Sequence, residues 1–426
     1  MTREHAAATA LAPASAAPSW GTRLVGVEGL RALAALSVLA NHVILQSGST
    51  AGLGIVDRLV VPNLAQGLTL FFVLSGFLLY RPFAAAILGD RPMPSARRFL
   101  RNRALRIVPA YWTILLLSAL VFGVALTRSG EPTSAGYLTA PWTLLKNLLF
   151  VQNLQPGSVD TGIEAAWSLC VEAVFYLSLP VLGLAALRLA RGRGRRGRQL
   201  AALAPIAVLL VVGMTGKAIA YKTQTGAADE IWGSSWHAVL ERSFLCWADL
   251  FAYGMAAALV VLAADAGRVP HVARLRTLSG AGAVLITLAM VAVQSGGAQK
   301  PVDRPMALAC ALLVLWVVLP GGRRRRSPLL RVLESVPAVE LGVISYSVYL
   351  WHEPVIHWLR RHDLVAGGAG GMALNVLLTL AIVVALSLLT YRFVEAPALR
   401  RKARIVPQPA GSERVAPEPA PVQAAP

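Results

Sequence analysis

GVEGLRALAALSVLANHVILQ, residues 26–46, is apolar for long enough to cross a bilayer as one helix, yet it carries Arg31 near its start and His42 near its end. On an α-helix the eleven steps between them make about three turns and climb about 16 Å, so guanidinium and imidazole share nearly one face. Ionisable groups are costly in hydrocarbon and persist where a protein partner or a polar cavity receives them, which makes this helix the first place to look for function.

The rest of the chain reads as the surroundings of that helix. In 426 residues, 56% are hydrophobic and only 14% charged, and the apolar residues fall in repeated long runs that soluble domains rarely show. Runs long enough to span occur at 27–46, 65–83, 109–127, 167–190, 202–221, 244–263, 277–294, 304–320, 338–359 and 372–391. The expectation is an all-α polytopic membrane protein of about ten transmembrane helices, occupying residues 26–400. The segment 141–151 is apolar but short, as a re-entrant or interfacial helix would be. Residues 1–25 and 401–426, rich in Ala and Pro, read as disordered tails.

A net charge of +19 raises the question of nucleic acid, and its placement answers it. The arginines cluster between apolar runs, as in LARGRGRRGR (189–198) and GGRRRRSP (321–328), so they read as topology signals and headgroup contacts. With the N-terminus inside, most lysines and arginines fall on inner segments, which predicts both termini in the cytoplasm. The partner is then the lipid bilayer, with no nucleic acid. Cys170, Cys246 and Cys310 are too widely spaced for a zinc site and read as packed thiols.

Four constellations stand out. By depth His42 lies in the outer third of its helix, roughly 22 Å above the inner surface, where a single histidine can be a base or only a packed, hydrogen-bonded residue. In RPMPSARRFLRNRALRIVPAYW (91–112), arginines including Arg98, Arg103 and Arg106 interleave with apolar residues, as in an amphipathic interfacial helix, with Pro109 opening the next span. A phosphorylated ligand and lipid headgroups would satisfy these guanidinium forks equally well. In AAWSLCVEAVFY (165–176), Glu172 shares a face with Ser168 and Tyr176 at a depth comparable with His42. In SYSVYLWHEP (345–354), Ser345, Tyr349 and His352 line one face. Ser75 and Gly76 sit mid-span, where small residues admit close helix packing, and Lys217 and Asp249 are candidates for a structural ion pair.

Arg31 spaced before His42, SGFLL (75–79), RALRIVPAYW (103–112), WSLCVEAVFY (167–176), SYSVYLWHEP (345–354) and YRFVEAP (391–397), in this order, resemble the acyltransferase-3 family of integral-membrane acyltransferases. The resemblance covers about residues 24–400. It departs at AAWSL, where relatives often carry HTWSL, and at Asn41, where an aromatic residue commonly precedes the histidine.

This resemblance implies transfer of an acyl group, commonly acetyl, from acyl-CoA to a hydroxyl on a carbohydrate or sugar-bearing metabolite at the cytoplasmic membrane. Acyl-CoA would be a donor substrate; no cofactor is permanently bound and no metal is required. On this reading Arg103 and Arg106, joined by Arg98 and Ser75, receive the CoA moiety, and Arg31 lines the thioester path. His42 is then the base or a transient acyl carrier, Glu172 orients it, and His352, Tyr349 and Trp167 stand behind. A transporter or flippase is the competing class, because buried Arg, His and Glu can equally line a substrate path.

Overall fold

The computed structural model describes residues 24, 26–46, 54, 59–131, 133–224, 233–295, 302–321 and 327–403. Both tails apart from Leu24 and the last helical turn, and the arginines of 321–328, lie outside the described residues. Long helices follow in order: α1 (Val27–Gln46), α2 (Gln66–Leu88), α3 (Ala96–Leu116), the short α4 (Pro141–Leu148), α5 (Trp167–Ala190) and α6 (Arg195–Thr223). After these come α7 (Phe244–Asp265), α8 (Val272–Ser295), α9 (Asp303–Val318), α10 (Val336–Arg361), α11 (Gly368–Thr390) and α12 (Ala396–Ala403). Between α3 and α4 lies a two-residue hairpin, Ala125–Leu126 against Ala135–Gly136, which has no counterpart in the sequence reading.

Each of the ten expected runs is a helix, and eight helical segments among the described residues are both long and apolar enough to cross a bilayer. The two that fall short do so for different reasons. α9 has 16 residues, about 24 Å, less than the hydrocarbon thickness. α10 has 26 residues but carries Glu340, His352, Glu353 and His357. Nearly every residue from Ile344 to Leu359 is buried, so its polar groups face protein instead of lipid. The second half of α10 is therefore enclosed by protein. In α2, 72% of the apolar window is buried, against 11% in α8, which puts α8 at the lipid-facing edge.

Close packing fixes the helices against one another. A Cβ on Gly342 of α10 would stand 2.0 Å from the carbonyl oxygen of Glu28, so α1 and α10 touch backbone to backbone there. Gly76 and Gly254 do the same for α2 and α7, where a Cβ would lie 2.1 Å from Phe251 O and 1.9 Å from Val73 O respectively. The small residue expected mid-span at Gly76 thus serves as a helix contact. The expected Lys217–Asp249 pair does not form. Lys217 bonds Glu241 at 2.6 Å and Asp249 bonds Arg304 at 2.6 Å.

α3 also differs from expectation. It runs unbroken from the Ser95 cap through Pro109, which sits inside the helix instead of opening it. Packing holds the helix across the proline's missing N–H: Ile107, Ala110, Tyr111 and Ile114 are buried, and Tyr346 of α10 donates to the Ile107 carbonyl at 2.9 Å. The arginine segment and the span behind it form one rod, which carries Arg103 and Arg106 to the bundle wall. Wide π turns close α3 (Leu117–Val121) and α11 (Tyr391–Glu395), and the second brings Glu395 inward to accept from Ser347.

Candidate active site

A cavity of about 600 Å³ opens between α1, α2, α3, α5 and α10. One end is basic. Arg31, Arg81, Arg91, Arg103 and Arg106 line it, with Glu28 among them. Arg31 Nε donates to Ser345 Oγ at 3.2 Å, a contact that ties α1 to α10. Arg103 Nε is buried without a hydrogen-bond partner, which is the condition that an incoming anion would relieve. Along the wall, Ser75 Oγ donates to Glu172 Oε1 at 2.6 Å, and Tyr176 lies beside them.

The opposite end is closed by Ser168 and Tyr349. Their oxygens are 2.7 Å apart, and both lie within hydrogen-bonding distance of the Ala165 carbonyl, at 2.9 and 3.0 Å. Phe71 meets the Tyr349 ring edge-on at 5.7 Å. Directly behind Tyr349 stands His352, 5.6 Å ring to ring, and His42 lies 4.9 Å from His352. His42 is not among the residues lining the cavity, so the expected climb from the arginines to this imidazole is interrupted by the Ser168–Tyr349 pair.

Both imidazoles are pinned the same way. His42 Nδ1 bonds the Val38 carbonyl at 2.9 Å, and His352 Nδ1 bonds the Tyr349 carbonyl. A carbonyl only accepts, so each Nδ1 carries the proton and each Nε2 is left to other partners. Both Nε2 atoms face Glu353 Oε1, at 3.3 Å from His42 and 3.9 Å from His352. Glu353 Oε2 in turn accepts the Ala165 N–H at 2.6 Å. His352 and Glu353 are sealed at 0% and 1% exposure, whereas His42 keeps 27%, so His42 is the member within reach of a substrate.

The expected site residues divide as follows. Arg31, Ser75, Arg103, Arg106 and Glu172 meet in the cavity, and Tyr349 forms its far wall. Glu172 is not the partner of His42: its carboxylate is engaged by Ser75, and the carboxylate facing His42 belongs to Glu353. Arg98 is exposed and outside the cavity, because five residues on a helix place it about 140° around from Arg103. Trp167 packs on Trp247, ring centroids 5.2 Å apart, and does not line the cavity. Arg81, Arg91 and Glu353 escaped the sequence reading. The signal for Glu353 was present, since it lies one turn after Tyr349 on the face that carries His352.

His42, His352 and Glu353 are also a potential metal-ligand set, with donor atoms within 4.8 Å of one another. A zinc-like ion about 2.1 Å from each donor spans about 4.2 Å at most, so the three side chains would have to draw slightly together to hold one.

Residues 24–392 match the acyltransferase domain family, Acyl_transf_3. The chain belongs to this acyltransferase-3 family. It is a multi-pass membrane acyltransferase, and the transporter alternative loses its ground. Among curated relatives, it is 26% identical to "Acyltransferase MdmB" of Streptomyces mycarofaciens, over 92% of this chain and 97% of that protein. It is 25% identical to "Putative peptidoglycan O-acetyltransferase YrhL" of Bacillus subtilis, over 87% of this chain and 54% of the relative. "Peptidoglycan O-acetyltransferase OatA" of Listeria monocytogenes is 21% identical over 78% and 49%. The chain thus spans about half the length of the two peptidoglycan relatives. No solved structure matches it.

Proposed function

We propose that this acyltransferase moves an acyl group, acetyl in the first instance, from acyl-CoA to a hydroxyl of a carbohydrate or sugar-bearing metabolite. The observation that carries the reading is a cavity that five guanidiniums line and whose far wall, Ser168–Tyr349, backs onto His352 and His42. Phosphates on a donor from the cytoplasm fit such a mouth, because guanidinium forks bind phosphate oxygens in pairs. The extended arm of CoA, roughly 15 to 20 Å at backbone-like bond lengths, reaches inward from there. Both termini and the basic mouth then face the cytoplasm, and the protein resides in the cytoplasmic membrane.

Arg103 and Arg106, with Arg81 and Arg91, hold the phosphates, and Arg31 faces the thioester. Parting of Ser168 and Tyr349 admits the thioester to His42. The acceptor O–H bond breaks as its proton passes to His42 Nε2, the acceptor oxygen bonds the acyl carbon, the C–S bond breaks, and the proton returns to the CoA thiolate. The names of the peptidoglycan relatives lend support to acetyl as the group and to a sugar as acceptor.

His42→Ala is the direct test, in membranes supplied with radiolabelled acyl-CoA. Loss of a general base costs about a hundredfold or more, so transfer should fall by that factor while acyl-CoA binding persists. Undiminished turnover in folded protein would overturn the assignment.

A further inference from the structure

The two pinned imidazoles and the carboxylate between them have a proton count that can be read from their partners. With each Nδ1–H spent on a carbonyl, neutral His42 and His352 bring unprotonated Nε2 atoms to 3.3 and 3.9 Å from Glu353 Oε1, neither one hydrogen-bonded to it. An ionised Glu353 would then place three electron-rich atoms against one another in a site where His352 and Glu353 are fully enclosed. Buried polar groups do not persist in that arrangement, so at least one proton belongs to the set at rest. The distances of 3.3 and 3.9 Å are both longer than an N–H···O hydrogen bond, and the carboxyl group hangs between the two rings instead of committing to one. His352 Nε2 and Glu353 Oε1 are buried with no hydrogen-bond partner.

We propose that Glu353 is a proton-holding residue that keeps this resident proton on the His352 side, leaving Nε2 of His42 open to take the acceptor's proton. The inference rests on the reading of His42 as the base and assigns what holds that base ready. Exposure fixes the division of labour: His352 is sealed and stores, while His42 is partly open and works. When the acceptor oxygen attacks, its proton moves to His42 and the set holds two protons around one carboxylate, so the new imidazolium faces an anion. Once the C–S bond has broken, the second proton returns to the thiolate sulfur and the resident one stays. No outside proton or electron is consumed.

Other charges face the set. Glu164 and Asp160 approach from the segment before α5, Asp160 paired with Arg242 at 3.0 Å, and His357 follows on α10 itself. The Ala165 N–H holds the second oxygen of Glu353, so the segment that carries Glu164 also orients the carboxylate.

The test uses full-length protein in membranes, with kcat and the acyl-CoA KM followed across pH for Glu353→Gln, Glu353→Asp and His352→Gln, and melting temperature as the folding control. A glutamine amide cannot exchange a proton. Glu353→Gln should therefore lower kcat about a hundredfold with KM within about threefold and with an altered pH profile. His352→Gln should lower kcat about tenfold and displace the profile, and Glu353→Asp should recover at least about tenfold over Gln. Wild-type kcat and pH profile in Glu353→Gln would overturn the proposal, as would equal activity of the Gln and Asp variants at an unchanged profile. A stoichiometric divalent ion in purified wild-type protein, lost in Glu353→Gln, would overturn it in favour of a metal. If His42→Ala retains turnover, the broader reading of the site fails. If His42→Ala is inactive while Glu353→Gln is unaffected, only the proton arrangement fails.

Discussion

The two ends of the cavity are built on opposite principles. At the mouth, cations from α1, α2, α3 and the turn after α2 crowd together, and Arg103 Nε lacks a partner. At the far end, Ser168, Tyr349 and Ala165 satisfy one another, and the histidines behind them are fixed by backbone carbonyls. The mouth thus concentrates positive charge, while the far end is held by internal hydrogen bonds. On the proposed reading, electrostatic attraction would gather the donor at one, and fixed geometry would act on it at the other.

If that division holds, damage to the two ends separates in the kinetics. Arg103→Ala combined with Arg106→Ala should raise the acyl-CoA KM by at least about a hundredfold with a smaller change in kcat. Each charge-assisted phosphate contact contributes about 1.5 to 3 kcal/mol, and both should serve donor and transition state alike. Steady-state kinetics in membranes measures this directly. A loss confined to kcat would move these arginines from gripping the donor to acting on the reacting carbonyl.

The same contrast explains what was legible in the sequence. Residues that repeat at helical spacing were readable: Ser168, Glu172 and Tyr176 do share a wall, and Arg103 and Arg106 do point together. What escaped depends on contacts between helices. Nothing in the order of residues says that α10 crosses α1 at Gly342, yet this crossing brings the α1 and α10 backbones together on the two helices that carry His42 and Glu353. Depth alone matched His42 with Glu172, because it ignores rotation about the helix axis. Each of the ten apolar runs is a helix, but run length alone did not show that α10, long enough to cross, is lined with polar groups that only a surrounding bundle can accommodate.

A sharper probe of the boundary between the ends is Tyr349→Phe. It removes one hydroxyl from the pair that closes the cavity and leaves Ser168 bonded to the Ala165 carbonyl at 2.9 Å. One hydrogen bond of this kind contributes about 0.5 to 1.5 kcal/mol net, so the barrier between thioester and His42 should open about two- to tenfold more often. Release of free CoA without acceptor should rise by that factor. An unchanged rate would mean that the donor reaches His42 by another route.

Arg98→Ala should have the smallest effect and is the cleanest negative control. Arg98 lies on the same helix as Arg103 and in the same basic segment, but it is exposed and turned away from the cavity. A headgroup contact there would influence how α3 sits at the membrane surface, and its loss leaves the donor's phosphates untouched. The acyl-CoA KM should stay within about twofold of wild type, measured beside the Arg103 and Arg106 double variant. A rise comparable to that of the double variant would place the phosphates along the outer face of α3. The contrast between a gripping mouth and a reacting end would then have to be redrawn around a surface site.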